Sequence, residues 1–197
     1  MRIGIIILAA GSSSRLGQSK QLVLFENKSL LRRAAEVALS TSTNHIIVVL
    51  GSEIKTHRKA IDDLPLKIVS NDLWENGMGS SLKTGLRYLL EIDPDTEAVI
   101  ILVCDQPHLT SGILNSLLNT YRQTQAPVIA SAYADTLGVP ALFNKTTFAR
   151  LLTIDDKQGA KKILQQYMPV KTISFPEGTL DIDTPEDLEK LTKHSGR

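Results

Sequence analysis

The chain has 197 residues, 42% hydrophobic and 22% charged, which suffices for one domain with a sizeable core. Its 22 basic and 21 acidic residues leave a formal charge of +1, so no bulk field favours nucleic acid, a membrane surface or another polyanion. A lone cysteine, Cys104, excludes an intramolecular disulfide and fits a reducing compartment.

The first element is the run Ile3–Leu8. It is β-branched and apolar on both faces, the pattern of a buried parallel strand. It is too short to cross a bilayer and too isoleucine-rich for a secretory leader, so a cytoplasmic protein without membrane contact is expected. Gly11-Ser12-Ser13-Ser14 follows at once, with Arg15 and Lys20 close behind. This is neither a Walker A loop, since Leu16 stands where the second glycine belongs, nor a Gly-x-Gly-x-x-Gly fingerprint. It does place successive N–H groups at the carboxyl end of a strand, where open α/β sheets bind ligands and a nest can hold phosphate oxygens. Arg15 offers a bidentate fork and Lys20 a point charge. A solvated serine-rich turn is the competing reading, and an exposed loop lysine contributes little to folding.

Strand and helix patterns then alternate. His45–Leu50, Leu66–Ser70 and Ala98–Val103 read as strands, whereas Ser29–Leu39, Glu53–Ile61 and Ser80–Glu91 read as amphipathic helices. Thr110 and Ser111 cap a further helix carrying Leu114, Leu117 and Leu118. Pro127–Ala134 and Leu137–Phe143 flank Asp135-Thr136 as a hairpin that makes part of the sheet antiparallel. Helices at Thr146–Leu152 and Gln158–Gln166, a strand at Val170–Phe175 and a last helix opened by Asp183-Thr184-Pro185-Glu186 complete the pattern, before a frayed KHSGR tail. The alternation predicts an α/β doubly wound fold in one domain, residues 1–197.

Three more segments carry chemistry-bearing residues. In NDLWENGMGSSL (71–82), Gly77 and Gly79 let the backbone approach a flat ligand or a phosphate, and Ser80 is placed to cap a helix. Trp74 is expected to pack rather than stack on a ligand. In VCDQPHLT (103–110), Asp105 follows an apolar strand and suits a hard cation such as Mg²⁺, with Mn²⁺ as the alternative. His108 reads as structural and Cys104 as core. In TLDIDTPEDL (179–188), Asp181 and Asp183 face one side of an extended segment, one as a helix cap and the other as a partner to Asp105. An anion loop, two cations and separated carboxylates suggest phosphoryl or nucleotidyl transfer by positioning and electrostatics.

As a set, LAAGSSSRLGQSKQL, NDLWENGMGSSLKTGL, VCDQPHLT, GVPALF and DIDTPEDL resemble the MobA-like nucleotidyltransferases, and within them the molybdenum cofactor cytidylyltransferase branch. They come in family order over nearly the whole chain. The resemblance implies a Rossmann-like three-layer α/β/α sandwich with a mixed, mostly parallel sheet. It implies nucleotide binding by Leu8, Ala9, Ala10, Gly11, Ser12, Ser13, Ser14, Arg15, Lys20, Asn71, Gly79, Ser80 and Ser81. Catalysis would rest on Arg15, Lys20 and Asp105, and Mg²⁺ on Asp105 and Asp183. Ala10, in LAAG rather than LAGG, favours CTP as donor, and the acceptor would be a phosphate monoester such as molybdopterin, with transient contact to a molybdoenzyme or its chaperone. The sequence departs from the branch at Val139, where a histidine is usual, and in DDKQGAKKI, where Asp156 and Lys161 replace Gly and Arg. A sugar- or polyol-phosphate acceptor, and a non-catalytic cofactor-delivery protein, therefore stand as alternatives.

Overall fold

The computed structural model describes residues 1–134, 136–167 and 169–194. Among these residues nine strands form two sheets. The large one runs through β1 (Ile3–Ala9), β4 (His45–Leu50), β5 (Lys67–Ser70), β6 (Ala98–Val103), β7 (Val128–Tyr133), β8 (Thr136–Asn144) and β9 (Lys171–Ser174); β2 (Leu24–Phe25) and β3 (Lys28–Ser29) make a small ribbon. Spatial order in the large sheet is β5-β4-β1-β6-β8-β7-β9. Within this sheet β8 is antiparallel to both β6 and β7 and every other pairing is parallel, so β8 alone runs against the rest of the sheet. The expected hairpin is therefore present, although its turn residue Asp135 lies outside the described residues, as does the end of the expected frayed tail, residues 195–197.

Side chains alternate across the sheet because the strand period is two. Ile3, Ile5 and Ile7 face one layer with Ile100 and Leu102, covered by α1 (Leu30–Leu39) and α4 (Ser111–Thr124) and flanked by α2 (Ile54–Lys59). Ile6, Leu8, Val99 and Ile101 face the other, covered by Leu82, Leu86 and Leu89 of α3 (Met78–Ile92) and by α5 (Phe148–Leu151) and α6 (Ala160–Gln165). Each fully buried Ile or Leu here is worth about 1.5–3 kcal/mol of transfer free energy. The result is the predicted Rossmann-like α/β/α sandwich with a mixed, mostly parallel sheet.

A third, small cluster sits at the carboxyl ends of the strands. Leu16 from the loop after β1 packs with Val23, Phe25, Leu30 and Ile182. The N–H of Ile182 also donates to the Asp105 carbonyl at 3.1 Å. These contacts draw the segment before α7 (Pro185–His194) back onto the first loop.

Two helix starts differ from expectation. α3 begins at Met78 with Gly77 as cap, and Ser80 is buried inside the first turn, its hydroxyl donating to the Leu73 carbonyl. At α7 neither Asp181 nor Asp183 is the cap. Thr184 accepts from the Asp187 N–H while Asp187 accepts from the Thr184 N–H and hydroxyl, a reciprocal capping box.

Candidate active site

The chain leaves β1 at Ala9 and turns through Gly11–Ser14, with Ser13 in the left-handed region at φ 56°. It returns at Ser19 into a short 3-10 turn, Lys20–Leu22, that throws adjacent side chains in different directions. Gln21 points under the loop. Lys20 points to the end of β6, where its ammonium donates to Asp105 Oδ2 at 2.5 Å and to Asp183 Oδ1 at 2.8 Å. The Arg15 guanidinium donates to Asp183 Oδ2 at 2.9 Å. Four residues from three distant segments, Arg15, Lys20, Asp105 and Asp183, thus meet at one point.

Lys20 is not the exposed loop lysine that its position in the sequence suggests. Its side chain is 18% exposed and that of Asp105 is 12% exposed, while Asp183 is one-third exposed. Burial alone would lower the Lys20 pKa, but Asp105 and Asp183 more than reverse this and hold it above the ordinary lysine value. Burial acts to raise the Asp183 pKa, and the Lys20 and Arg15 cations override it, so this carboxyl is held below its ordinary range. Asp181 lies on the same wall, as the spacing predicted.

Two chambers adjoin this cluster. One, of about 260 Å³, is lined by the loop from Leu8 to Ser12, by Lys20 and Gln21, and by Trp74, Gly77, Met78 and Ser81 on the opposite rim. The other, of about 300 Å³, is lined by Arg15, Gln106, Tyr133, Gly138, Val139, Asp181 and Asp183. Lys20, Asp105, Met78 and Val103 belong to both. The lysine–aspartate cluster therefore stands at the junction of two cavities, each of small-molecule size.

Several expected site residues are turned elsewhere. Asn71 is buried and donates to the hydroxyls of Ser80 and Ser81, and of these three only Ser81 reaches the first chamber. Gly77 and Gly79 make room for the protein's own chain: a Cβ at either would run into the backbone of Asp155–Lys157, and the Gly79 N–H donates to the Asp156 carbonyl. Gly77 also has φ 125°, which side-chain-bearing residues rarely adopt. Trp74 packs as expected, over Gly51, where a Cβ would collide with it, and it also walls the first chamber. His108 is structural, its ring edge-to-face with Phe25 at 5.5 Å, and Cys104 is buried in the core. The residues that sequence patterns did not single out are Gln21, Gln106, Met78 and Tyr133. None has a spacing that marks it, and their roles exist only once the loops are folded together.

Among the described residues, two buried side-chain oxygens have no hydrogen-bond partner, Asp105 Oδ1 and Gln106 Oε1. Among the described residues no group of three or more His, Cys, Asp or Glu side chains could hold a metal ion by itself, and Asp105 and Asp183 supply two carboxylates, the number with which Mg²⁺ is commonly held beside substrate phosphates. The model of the MobA-like NTP transferase domain matches residues 5–171. The chain belongs to this family. Over its length it is similar to the purine catabolism protein PucB of Bacillus subtilis, 26% identical and covering 95% of both chains. It is also similar to the nicotine blue oxidoreductase of Paenarthrobacter nicotinovorans, 29% identical and covering 94% of both. Among solved structures, the homologue of Mycobacterium tuberculosis Rv0371c from Mycobacterium sp. strain JC1 superposes with a TM-score of 0.83 at 26% identity, covering 99% of this chain and 98% of that one. This MobA-like protein is accordingly placed among the nucleotidyltransferases, on the nucleotide-diphospho-sugar transferase fold. No helix among its described residues is long and apolar enough to cross a membrane.

Proposed function

We propose that this MobA-like protein transfers CMP from CTP to a phosphate monoester, molybdopterin, and releases pyrophosphate, acting in the cytoplasm as one domain. The observation that carries the reading is the pair of chambers sharing Lys20 and Asp105 as their common wall. In this assignment the first chamber takes the triphosphate on the N–H groups after β1, with the base against Trp74 and Ser81. The second takes the acceptor between β8 and the segment before α7. A divalent cation, Mg²⁺ or Mn²⁺, would be held by Asp105 and Asp183 and would neutralise charge on the reacting phosphates.

The chain's own part in the reaction follows from charge and placement. The acceptor is a phosphate monoester, largely dianionic at neutral pH, so its oxygen attacks the α-phosphorus without a general base. One P–O bond forms to the acceptor, the bond between the α-phosphorus and the bridging oxygen breaks, and pyrophosphate leaves with the electron pair. Lys20 and Arg15 supply positive charge where negative charge accumulates, in a site partly screened from water. Positioning supplies the remainder.

Among the departures from the branch pattern whose side chains are described, Val139 and Asp156, one touches the acceptor chamber. Val139 lines it. Asp156 instead pairs with Lys83 of α3 at 2.6 Å, and of Lys161 only the backbone is described. This supports an acceptor chamber altered at Val139.

The test incubates the protein with Mg²⁺, each of the four ribonucleoside triphosphates and a panel of acceptors, reading pyrophosphate release and the product by ³¹P resonance. Release with CTP and molybdopterin alone is expected. Release with a sugar or polyol phosphate instead would reassign the acceptor. Tight CTP binding without release under any condition would favour a delivery protein over an enzyme.

A further inference from the structure

We infer that Gln21 is the positioning residue that shapes the phosphate-binding loop; the inference rests on the nucleotide reading of the first chamber. Gln21 is 1% exposed, yet nothing in the chemistry above uses it. Its side chain has two donors and an acceptor oxygen with two lone pairs, and all four places are filled by the loop. The amide nitrogen donates to the carbonyls of Ala9 at 3.1 Å and Gly11 at 2.7 Å. The amide oxygen accepts from the hydroxyls of Ser13 and Ser19, each at 3.0 Å.

The consequence follows from peptide geometry. In a trans peptide the C=O and the next N–H point in opposite directions. Drawing the carbonyls of Ala9 and Gly11 inward onto Gln21 turns the N–H groups of Ala10 and Ser12 outward. The Ala10 carbonyl is likewise held away, accepting from the Ser52 N–H at 3.0 Å, which turns out the N–H of Gly11. Three consecutive amide protons are thereby presented and three carbonyl oxygens are withdrawn, which is what a polyanion requires.

The same contacts hold the cation. Ser13, in its left-handed conformation, accepts from the Lys20 N–H at 3.0 Å while donating to Gln21. Ser19 stands 2.6 Å from Nε2 of the buried His57, which ties the loop's far end to α2. One amide thus sets both the N–H array and the root of the lysine that bridges Asp105 and Asp183. Glutamate is the discriminating replacement. It has the same shape but no donor, so both carbonyls would face a carboxylate and turn outward.

The experiment compares wild type with Gln21→Glu, Gln21→Met and the milder Ser19→Ala. CTP binding with Mg²⁺ is measured by calorimetry, melting temperature by thermal unfolding, and kcat and KM where turnover is seen. Binding of CTP by wild type, with affinity falling about tenfold or more in Gln21→Met, further in Gln21→Glu and less in Ser19→Ala, is the expected order. In kinetics the loss should fall on KM for CTP, with KM for the acceptor unchanged. A residue that merely holds the fold would lower the melting temperature and the active fraction while leaving the affinity of folded molecules alone. If the Gln21 variants do not fold, Ser19→Ala still decides the matter through its CTP affinity. Equal affinities in folded variants overturn the role of Gln21 alone, whereas failure of wild type to bind any nucleotide overturns the nucleotide reading beneath it.

Discussion

Replacing Lys20 by methionine keeps the length of the side chain and removes its charge. The ammonium lies within 2.8 Å of two carboxylates that have few other partners, and Asp105 Oδ1 already has none. Breaking a fully buried pair by removing one partner costs about 3–5 kcal/mol, because the other charge is left uncompensated. Here the side-chain exposures of 18%, 12% and 33% for Lys20, Asp105 and Asp183 admit some screening. A loss of about 2–3 kcal/mol is therefore expected, which for a domain of this size is a fall of about 5–10 °C in melting temperature. This reverses the expectation for an exposed loop lysine: Lys20→Met should lose stability as well as turnover.

The pH dependence has a definite sign. Asp183 has its pKa lowered in the fold, so its contribution is fully present above the unfolded value near 3.8 and is lost as pH falls through the folded value. Lys20 has its pKa raised, so its contribution is present below the unfolded value near 10.5 and is lost as pH rises through the folded value. The gap between wild type and Lys20→Met should accordingly be widest from about pH 5 to about pH 9 and narrow below about pH 4. Adding Asp105→Asn to Lys20→Met should recover part of the loss, since it removes one of two like charges left facing each other. Thermal unfolding of the three proteins at pH 7.5 and pH 3.5 reads all of this. Equal melting temperatures at pH 7.5, or a loss unchanged at pH 3.5, would refute the electrostatic argument.

Gly79→Ala should destabilise the protein by about 2 kcal/mol or more, because the new Cβ meets the Asp155 carbonyl rather than a yielding side chain; faster proteolytic nicking near 155–158 would report release of that loop. The Cys104 thiol is buried and its pKa is pushed up to about 12 by burial first and by Asp105 next. Native protein should therefore resist iodoacetamide at pH 8 and label stoichiometrically only after denaturation, as mass spectrometry would show.

The local elements of this protein are written in its sequence, because strand and helix patterns depend on residues a few positions apart. Ile3–Leu8 alternates across the sheet as expected, Leu82, Leu86 and Leu89 form the buried stripe of α3, and Ser29 caps α1. The motif after β1 was equally visible as a set of amides and cations. What no local pattern could supply was the meeting of Lys20 with Asp183, 163 positions later, or with Asp105, 85 positions later. That meeting depends on the packing of Leu16 against Ile182 and on a backbone bond from Ile182 to Asp105, both made only when the sheet has brought the carboxyl ends of its strands together. Gln21 and Gly79 were illegible for the same reason. A glutamine's four hydrogen bonds and a glycine's missing Cβ acquire meaning from what tertiary packing places beside them, and only the folded chain decides that.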